Sequence, residues 1–135
     1  MAQIHETITV DAEPQQVWDV VGDPGRIADW LPALTSSAAE GGERACTMAN
    51  GAELKERIVE HSDQERFYTY EIVEAPIPIR SYRSRLSVRG HDAHSHVDWE
   101  AEFEPQEAGQ EAELVEMFTQ TYREGLESLR ERLGS

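Results

Sequence analysis

The chain has 135 residues, 27 acidic and 12 basic, for a formal charge of −15; this suits a single domain over 1–135 with a true core, and it disfavours nucleic acid and anionic membrane as partners. No apolar run nears the ~20 residues of a membrane span and the first ten residues lack a leader's apolar block, so a cytoplasmic protein is expected. Cys46 is the only cysteine, which excludes an internal disulfide and a cysteine-built zinc site.

In chain order, residues 3–10 alternate, with Ile4, Ile8 and Val10 on one parity and His5, Thr7 and Thr9 on the other. This predicts a strand with Glu6 as the exception on its apolar side. Asp11 is placed to cap the next segment and Pro14 suits a first helical turn. Val17, Trp18, Val20 and Val21 then give a short helix ending at Gly22-Asp23-Pro24. A second short helix is expected over 24–30, stopped by Pro32. A short strand over 34–39 turns through Gly41-Gly42 into 43–48, and Asn50-Gly51 is a strong hairpin signal.

Four longer strands follow at 52–61, 66–73, 79–89 and 93–103. They are separated by Ser62-Asp63-Gln64, by Ala75-Pro76-Ile77-Pro78, where proline cannot donate to a ladder, and by Gly90-His91-Asp92. Residues 111–133 form a final helix. Leu114, Met117, Phe118, Thr121, Tyr122, Gly125, Leu126, Leu129 and Leu133 recur at i, i+3, i+4 and i+7. Glu111 and Glu113 open it, and Arg130 and Arg132 close it, each matching the helix dipole. Its apolar arc covers about half the circumference, which suits a helix gripped by a curved sheet, with Gly125 allowing close approach. The expected class is α+β: a curved antiparallel sheet around a long C-terminal helix, with two short helices after strand 1.

This order resembles the helix-grip fold of the START-like (SRPBCC, Bet v 1-like) superfamily, and within it the polyketide cyclase/dehydrase-type proteins. More distantly it is similar to the plant abscisic-acid receptors and birch-pollen-type proteins. The resemblance is carried by Pro14-Gln15-Gln16-Val17-Trp18, Trp30-Leu31-Pro32, Lys55-Glu56-Arg57-Ile58, Tyr70-Glu71-Ile72, Pro76-Ile77-Pro78, Tyr82 and Val97-Asp98-Trp99, with Phe103 and Pro105. It implies a hollow between sheet and long helix that takes a small apolar or aromatic molecule. In the abscisic-acid receptors a glutamate followed by arginine stands at the place of Glu56-Arg57, and that glutamate faces the pocket. The receptors' gate and latch loops correspond to Asn50-Gly51 and 75–79 here, with different motif residues.

Strand parity gives a separate view of the same hollow. Leu54, Glu56 and Ile58 share one side of their strand, as do Tyr68, Tyr70 and Ile72, then Tyr82, Ser84 and Leu86, then Val97, Trp99, Ala101 and Phe103. The opposite sides carry Lys55, Arg57, Arg83, Arg85, His96, Asp98, Glu100 and Glu102, which suit solvent. Glu56 is thus a carboxylate among inward apolar neighbours, and such a group needs a partner, with Tyr82, Tyr70 or water as candidates. The expected ligand site is Leu54, Glu56, Tyr70, Ile72, Tyr82, Trp99, Phe118 and Tyr122. Tyr70, Tyr82 and Trp99 would give it aromatic walls with polar tips.

Two functions are open. One is binding of a small hydrophobic or aromatic ligand. The other is a polyketide cyclase or dehydratase-like reaction, with Glu56 as base and Tyr82 or Tyr70 positioning a carbonyl. The outward parity of Arg57, Arg83 and Arg85 weakens the second. A protein-interaction module is a third reading and would need an exposed apolar patch. No cofactor is expected. His91, His94 and His96 lie at a hairpin turn with outward parity, so no metal site is expected. Cys46 has only Arg44 near it in sequence and is not read as a nucleophile. The partner expected is a small hydrophobic or aromatic molecule, for a monomer or homodimer.

Overall fold

The alternating segments become seven strands: β1 Ala2–Val10, β2 Leu34–Glu40, β3 Glu43–Met48, β4 Glu53–Ser62, β5 Phe67–Glu74, β6 Ile79–His91 and β7 His94–Pro105. They belong to a computed structural model that describes residues 1–133, apart from the His91 side chain; Gly134 and Ser135 lie outside the described residues. The strands form one curved antiparallel sheet in the order β1-β7-β6-β5-β4-β3-β2. Helix α1 (Pro14–Val21) and a 3₁₀ turn (Pro24–Asp29) follow β1, and helix α2 (Glu111–Arg132) lies against the sheet's inner face. This is the helix-grip arrangement expected. Among the described residues no helix is long and apolar enough to cross a membrane.

Helix α2 is seated by the face that its periodicity marks out. Leu114, Phe118, Tyr122, Gly125, Leu126 and Leu129 are buried. Thr121 is half-buried and bonds back to the Met117 carbonyl at 3.0 Å. A Cβ at Gly125 would lie 2.5 Å from Leu31 Cδ1 and 3.1 Å from a Trp99 ring atom. The glycine therefore sets how closely α2 approaches the sheet. Glu6, the exception in β1, accepts from Arg123 Nε at 2.7 Å and ties the first strand to the last helix.

Several local features differ from expectation. Glu13, not Asp11, is the N-cap of α1, its backbone N–H donating to Gln16 Oε1 at 3.1 Å; Asp11 instead faces His94 at 3.5 Å. The second helix is a 3₁₀ turn, capped by Asp23, whose side chain accepts from the Gly25 N–H at 3.0 Å. The last hairpin turns at Asp92-Ala93, with His91 opposite His94 and Asp92 at φ 57°.

The pairing of β4 with β5 slips twice, once between Lys55 and Glu56 and once between Ile58 and Glu60. The extra residues are Val73 on β5 and Val59 on β4, the two exposed valines of the sheet. A bulge reverses strict alternation beyond it. Here the Val59 bulge keeps Ile58 facing in opposite Tyr70 while turning Glu60 outward opposite Thr69.

Candidate functional site

The inner face of β3–β7, the inner face of α2 and the 3₁₀ turn enclose a cavity of about 90 Å³. All eight expected residues lie on its wall. Leu54 and Ile72 are half-buried, whereas Glu56, Tyr70, Tyr82, Trp99, Phe118 and Tyr122 are buried. Residues not anticipated complete it: Ile27, Leu31, Leu34 and Cys46 in the interior, and Met48, Ile77 and Met117 closer to solvent. Met117 is 39% exposed and so stands at the mouth.

Glu56 is buried, at 5% exposure, and the side chain paired with it is Arg44 rather than a tyrosine. Arg44 Nε donates to Glu56 Oε1 at 2.7 Å, and one terminal nitrogen donates to the Pro24 carbonyl and to Tyr68 Oη, each at 3.0 Å. The other terminal nitrogen has no hydrogen-bond partner among the described residues. The guanidinium lies over the Tyr70 ring, 4.5 Å from its centroid. Burial works to lower the Arg44 pKa, but Tyr68, Glu56 and Tyr70 outweigh it and hold it well above the usual value, so the residue is charged. In the sequence Arg44 stands out only as a neighbour of Cys46. The usable signal was parity, since Arg44, Cys46 and Met48 share one side of β3.

Cys46 Sγ donates weakly to the same Glu56 oxygen at 3.5 Å. Burial, then the Glu56 charge, push its thiol up to about 12. It is a neutral thiol and not a nucleophile at ordinary pH.

The tyrosines form a second polar group. Tyr82 and Tyr122 share a short hydroxyl–hydroxyl bond, and Tyr122 Oη also bonds Ser84 Oγ at 2.9 Å. Ser84 Oγ donates to the Glu100 carbonyl at 3.0 Å, and Trp99 Nε1 donates to Ser84 Oγ at 3.1 Å and Tyr70 Oη at 3.2 Å. Trp99 stacks on Tyr122 with ring centroids 4.0 Å apart, and Tyr82 packs on Phe118 at 4.9 Å. Burial raises the pKa of Tyr70, Tyr82 and Tyr122, so all three keep their protons at neutral pH. These rings occupy much of the space between helix and sheet, which is why the hollow is small.

Arg57, Arg83 and Arg85 are exposed on the outer face, as their parity implied. That face carries a larger, open concavity of about 500 Å³, walled by Gln3, His5, Arg83, Arg85, Glu100 and Glu102 among others. Its charges alternate across the strands, with Arg83 opposite Glu102 and Arg85 opposite Glu100. Such a surface is well solvated, and its lining is at least as polar as apolar, unlike the almost wholly apolar inner hollow. Asp98, expected in solvent, is 8% exposed and bonded by Arg89 at 2.6 Å and His5 at 3.4 Å. His94 faces Asp11, and His96 Nδ1 bonds the Thr9 hydroxyl at 3.0 Å; the His91 side chain lies outside the described residues. Among the described residues no three His, Cys, Asp or Glu side chains are grouped to hold a metal.

The model of the family described as polyketide cyclase / dehydrase and lipid transport matches residues 1–134. The chain belongs to that family. Among solved structures, the protein XoxI from Bacillus cereus is 31% identical, with TM-score 0.93 over 98% of this chain and 96% of that one. A START superfamily protein from Mycobacterium smegmatis (10% identical, TM-score 0.79, 97% and 96% covered) shares the fold. So does norcoclaurine synthase from Thalictrum flavum (17% identical, TM-score 0.74, 98% and 86% covered). Among curated proteins no relative is detected.

Proposed function

We propose that this family member binds a small apolar or aromatic molecule in the cavity between α2 and the sheet. Its expected contacts are Leu54, Glu56, Tyr70, Ile72, Tyr82, Trp99, Phe118 and Tyr122. The observation that carries this reading is the convergence of side chains from four strands and one helix on a single apolar hollow that also contains a buried carboxylate. Mostly apolar walls with a few placed polar groups are the make-up of small-molecule sites. The Thalictrum flavum synthase, on the same fold, was solved with dopamine and hydroxybenzaldehyde, both one-ring molecules.

The volume bounds the ligand. About 90 Å³ is less than the roughly 150 Å³ cavity that holds benzene in a well-studied case. A one-ring molecule enters if the mouth gives by one side chain, and Met117, flexible and part-exposed, is suited to do so. A cyclase or dehydratase reaction is the second reading, and the family description supports it. It is the weaker of the two because the candidate base already has Oε1 engaged by Arg44. A protein-interaction role has less support, because the exposed large apolar side chains, such as Val59, Val73 and Met117, come from different elements.

A thermal-shift screen of aromatic and polyketide-like compounds tests the proposal, with tryptophan fluorescence as a second probe. A ligand at a hundredfold excess over its dissociation constant stabilises by about 2.7 kcal/mol, or roughly 10 °C for a chain of this size. Glu56→Gln then separates the readings: turnover that collapses while binding survives marks a base, and altered affinity without turnover marks an anchor. A screen in which no aromatic compound raises Tm would sink both.

A further inference from the structure

We propose that the cavity selects a neutral hydrogen-bond donor, a phenol or an alcohol, and that Arg44 is the positioning residue that sets this selection through Glu56. The inference rests on the reading of the hollow as a small-molecule site and adds the polarity of its occupant.

A carboxylate only accepts hydrogen bonds. Among the described residues, the hydrogen bonds to Glu56, from Arg44 Nε at 2.7 Å and Cys46 Sγ at 3.5 Å, both fall on Oε1. Oε2 is the acceptor that remains for a ligand. The carboxylate cannot turn freely to exchange the two, because Arg44 is itself fixed at three further points: the Pro24 carbonyl, Tyr68 Oη and the Tyr70 ring. Arg44 is 1% exposed, so the fork has no route to solvent.

The charge balance excludes the alternatives. Arg44 and Glu56 together are neutral, so a cationic ligand loses its hydration and meets a carboxylate whose charge is already compensated. An anionic ligand would set its oxygens against Glu56 Oε2, inside a protein of net charge −15. The tyrosine hydroxyls do not restore a binding site for it. Tyr82 and Tyr122 are engaged with each other, Tyr122 with Ser84, and Tyr70 with Trp99, Ser84 and Tyr82. The unpartnered Arg44 nitrogen is buried in a residue that does not line the cavity, so too little is offered to replace the water shell of a carboxylate. An ether or hydrocarbon of the same size fills the hollow but leaves Oε2 unpaired.

Four one-ring probes separate these cases by calorimetry or by titration of methyl NMR shifts at pH 7: phenol, anisole, benzoate and benzylammonium. Phenol should bind about tenfold tighter than anisole, with no saturable binding of benzoate or benzylammonium. In Arg44→Met/Glu56→Leu, which replaces the pair by apolar side chains of similar bulk, phenol and anisole should bind equally. Arg44→Lys keeps the charge but loses the planar fork, and it should narrow the ratio; this variant and the wild-type series decide the matter if the double variant does not fold. Equal affinity for phenol and anisole in the wild type, benzoate as tight as phenol, or a phenol preference that survives in the folded double variant would each overturn the selection while leaving the small-molecule site standing. If none of the four binds to folded protein, the site itself falls and the selection with it.

Discussion

At the scale of single residues, Asp98 is more buried than its outward parity suggests. Parity tells which side of a strand a residue occupies, and it placed Glu56 and its inward neighbours correctly. It does not tell what covers the other side. Asp98 is on the outer face, yet Arg89, Thr7 and His5 surround it. Burial pushes its carboxyl up, but their hydrogen bonds outweigh burial and hold it below the ordinary value. A depressed folded-state pKa stabilises above the unfolded value, near pH 4, and that contribution is lost as pH falls through the folded value. Asp98→Asn should therefore be less stable than wild type by a constant margin above about pH 5, with the two converging in more acidic solution. Urea denaturation across pH 3–7 measures the margin, and a margin that widens on acidification would contradict the assignment. For the inner pair, Arg44→Met alone strands Glu56 and should cost about 3–5 kcal/mol, whereas Arg44→Met/Glu56→Leu should recover most of that loss. Equal stability of the single and double variants would mean that the two groups are not coupled.

At the scale of elements, the final helix was legible almost residue by residue, because a 3.6-residue period in a 22-residue helix is redundant. The strands were legible in number and order, and less so in detail. Nothing in the composition of β4 marks Val59 as a bulge, since a bulge is set by pairing with β5 and not by its own sequence. The 3₁₀ turn at Pro24–Asp29 looks like a short helix in the sequence because the two share their start signals. Phe118, buried against Tyr82 and against Phe103 at 5.2 Å, anchors the helix, and Phe118→Ala should cost about 3–5 kcal/mol in chemical denaturation. A loss under about 1 kcal/mol would show that the helix is held elsewhere. Gly125→Ala is subtler. Alanine gains about 1 kcal/mol of helix propensity, and its methyl group collides first with Leu31 Cδ1. Leu31 lines the cavity, so its methyl has empty space to move into, while the Trp99 ring atom at 3.1 Å has to give by only a few tenths of an ångström. We expect a net stability change within about 1 kcal/mol and a several-fold loss of affinity for phenol, because the hollow is filled from within. A large destabilisation with affinity intact would show that the cavity offers no slack.

At the scale of the whole molecule, the excess of acidic over basic residues (27 − 12 = 15) opposes compaction, while ion pairs on the outer face favour it. The two respond to salt in opposite senses. Exposed pairs such as Arg83–Glu71 at 3.5 Å and Arg57–Glu71 at 4.0 Å are worth only about 0–1 kcal/mol each, so their weakening as salt rises costs little. Repulsion among the unbalanced carboxylates acts over longer distances, where screening is effective. Repulsion should therefore dominate the salt response at pH 7, and Tm should rise by several degrees between about 10 mM and 0.5 M sodium chloride. Chloride is the right anion for the test, since sulfate also strengthens apolar burial and would confound it. The control is pH 4.6, near the isoelectric point, where net repulsion vanishes and the same salt step should leave Tm nearly unchanged. A Tm that falls with salt at pH 7 would mean that the ladder of ion pairs across the outer face outweighs the net charge, and that the acidity of this chain stabilises its sheet instead of opposing it.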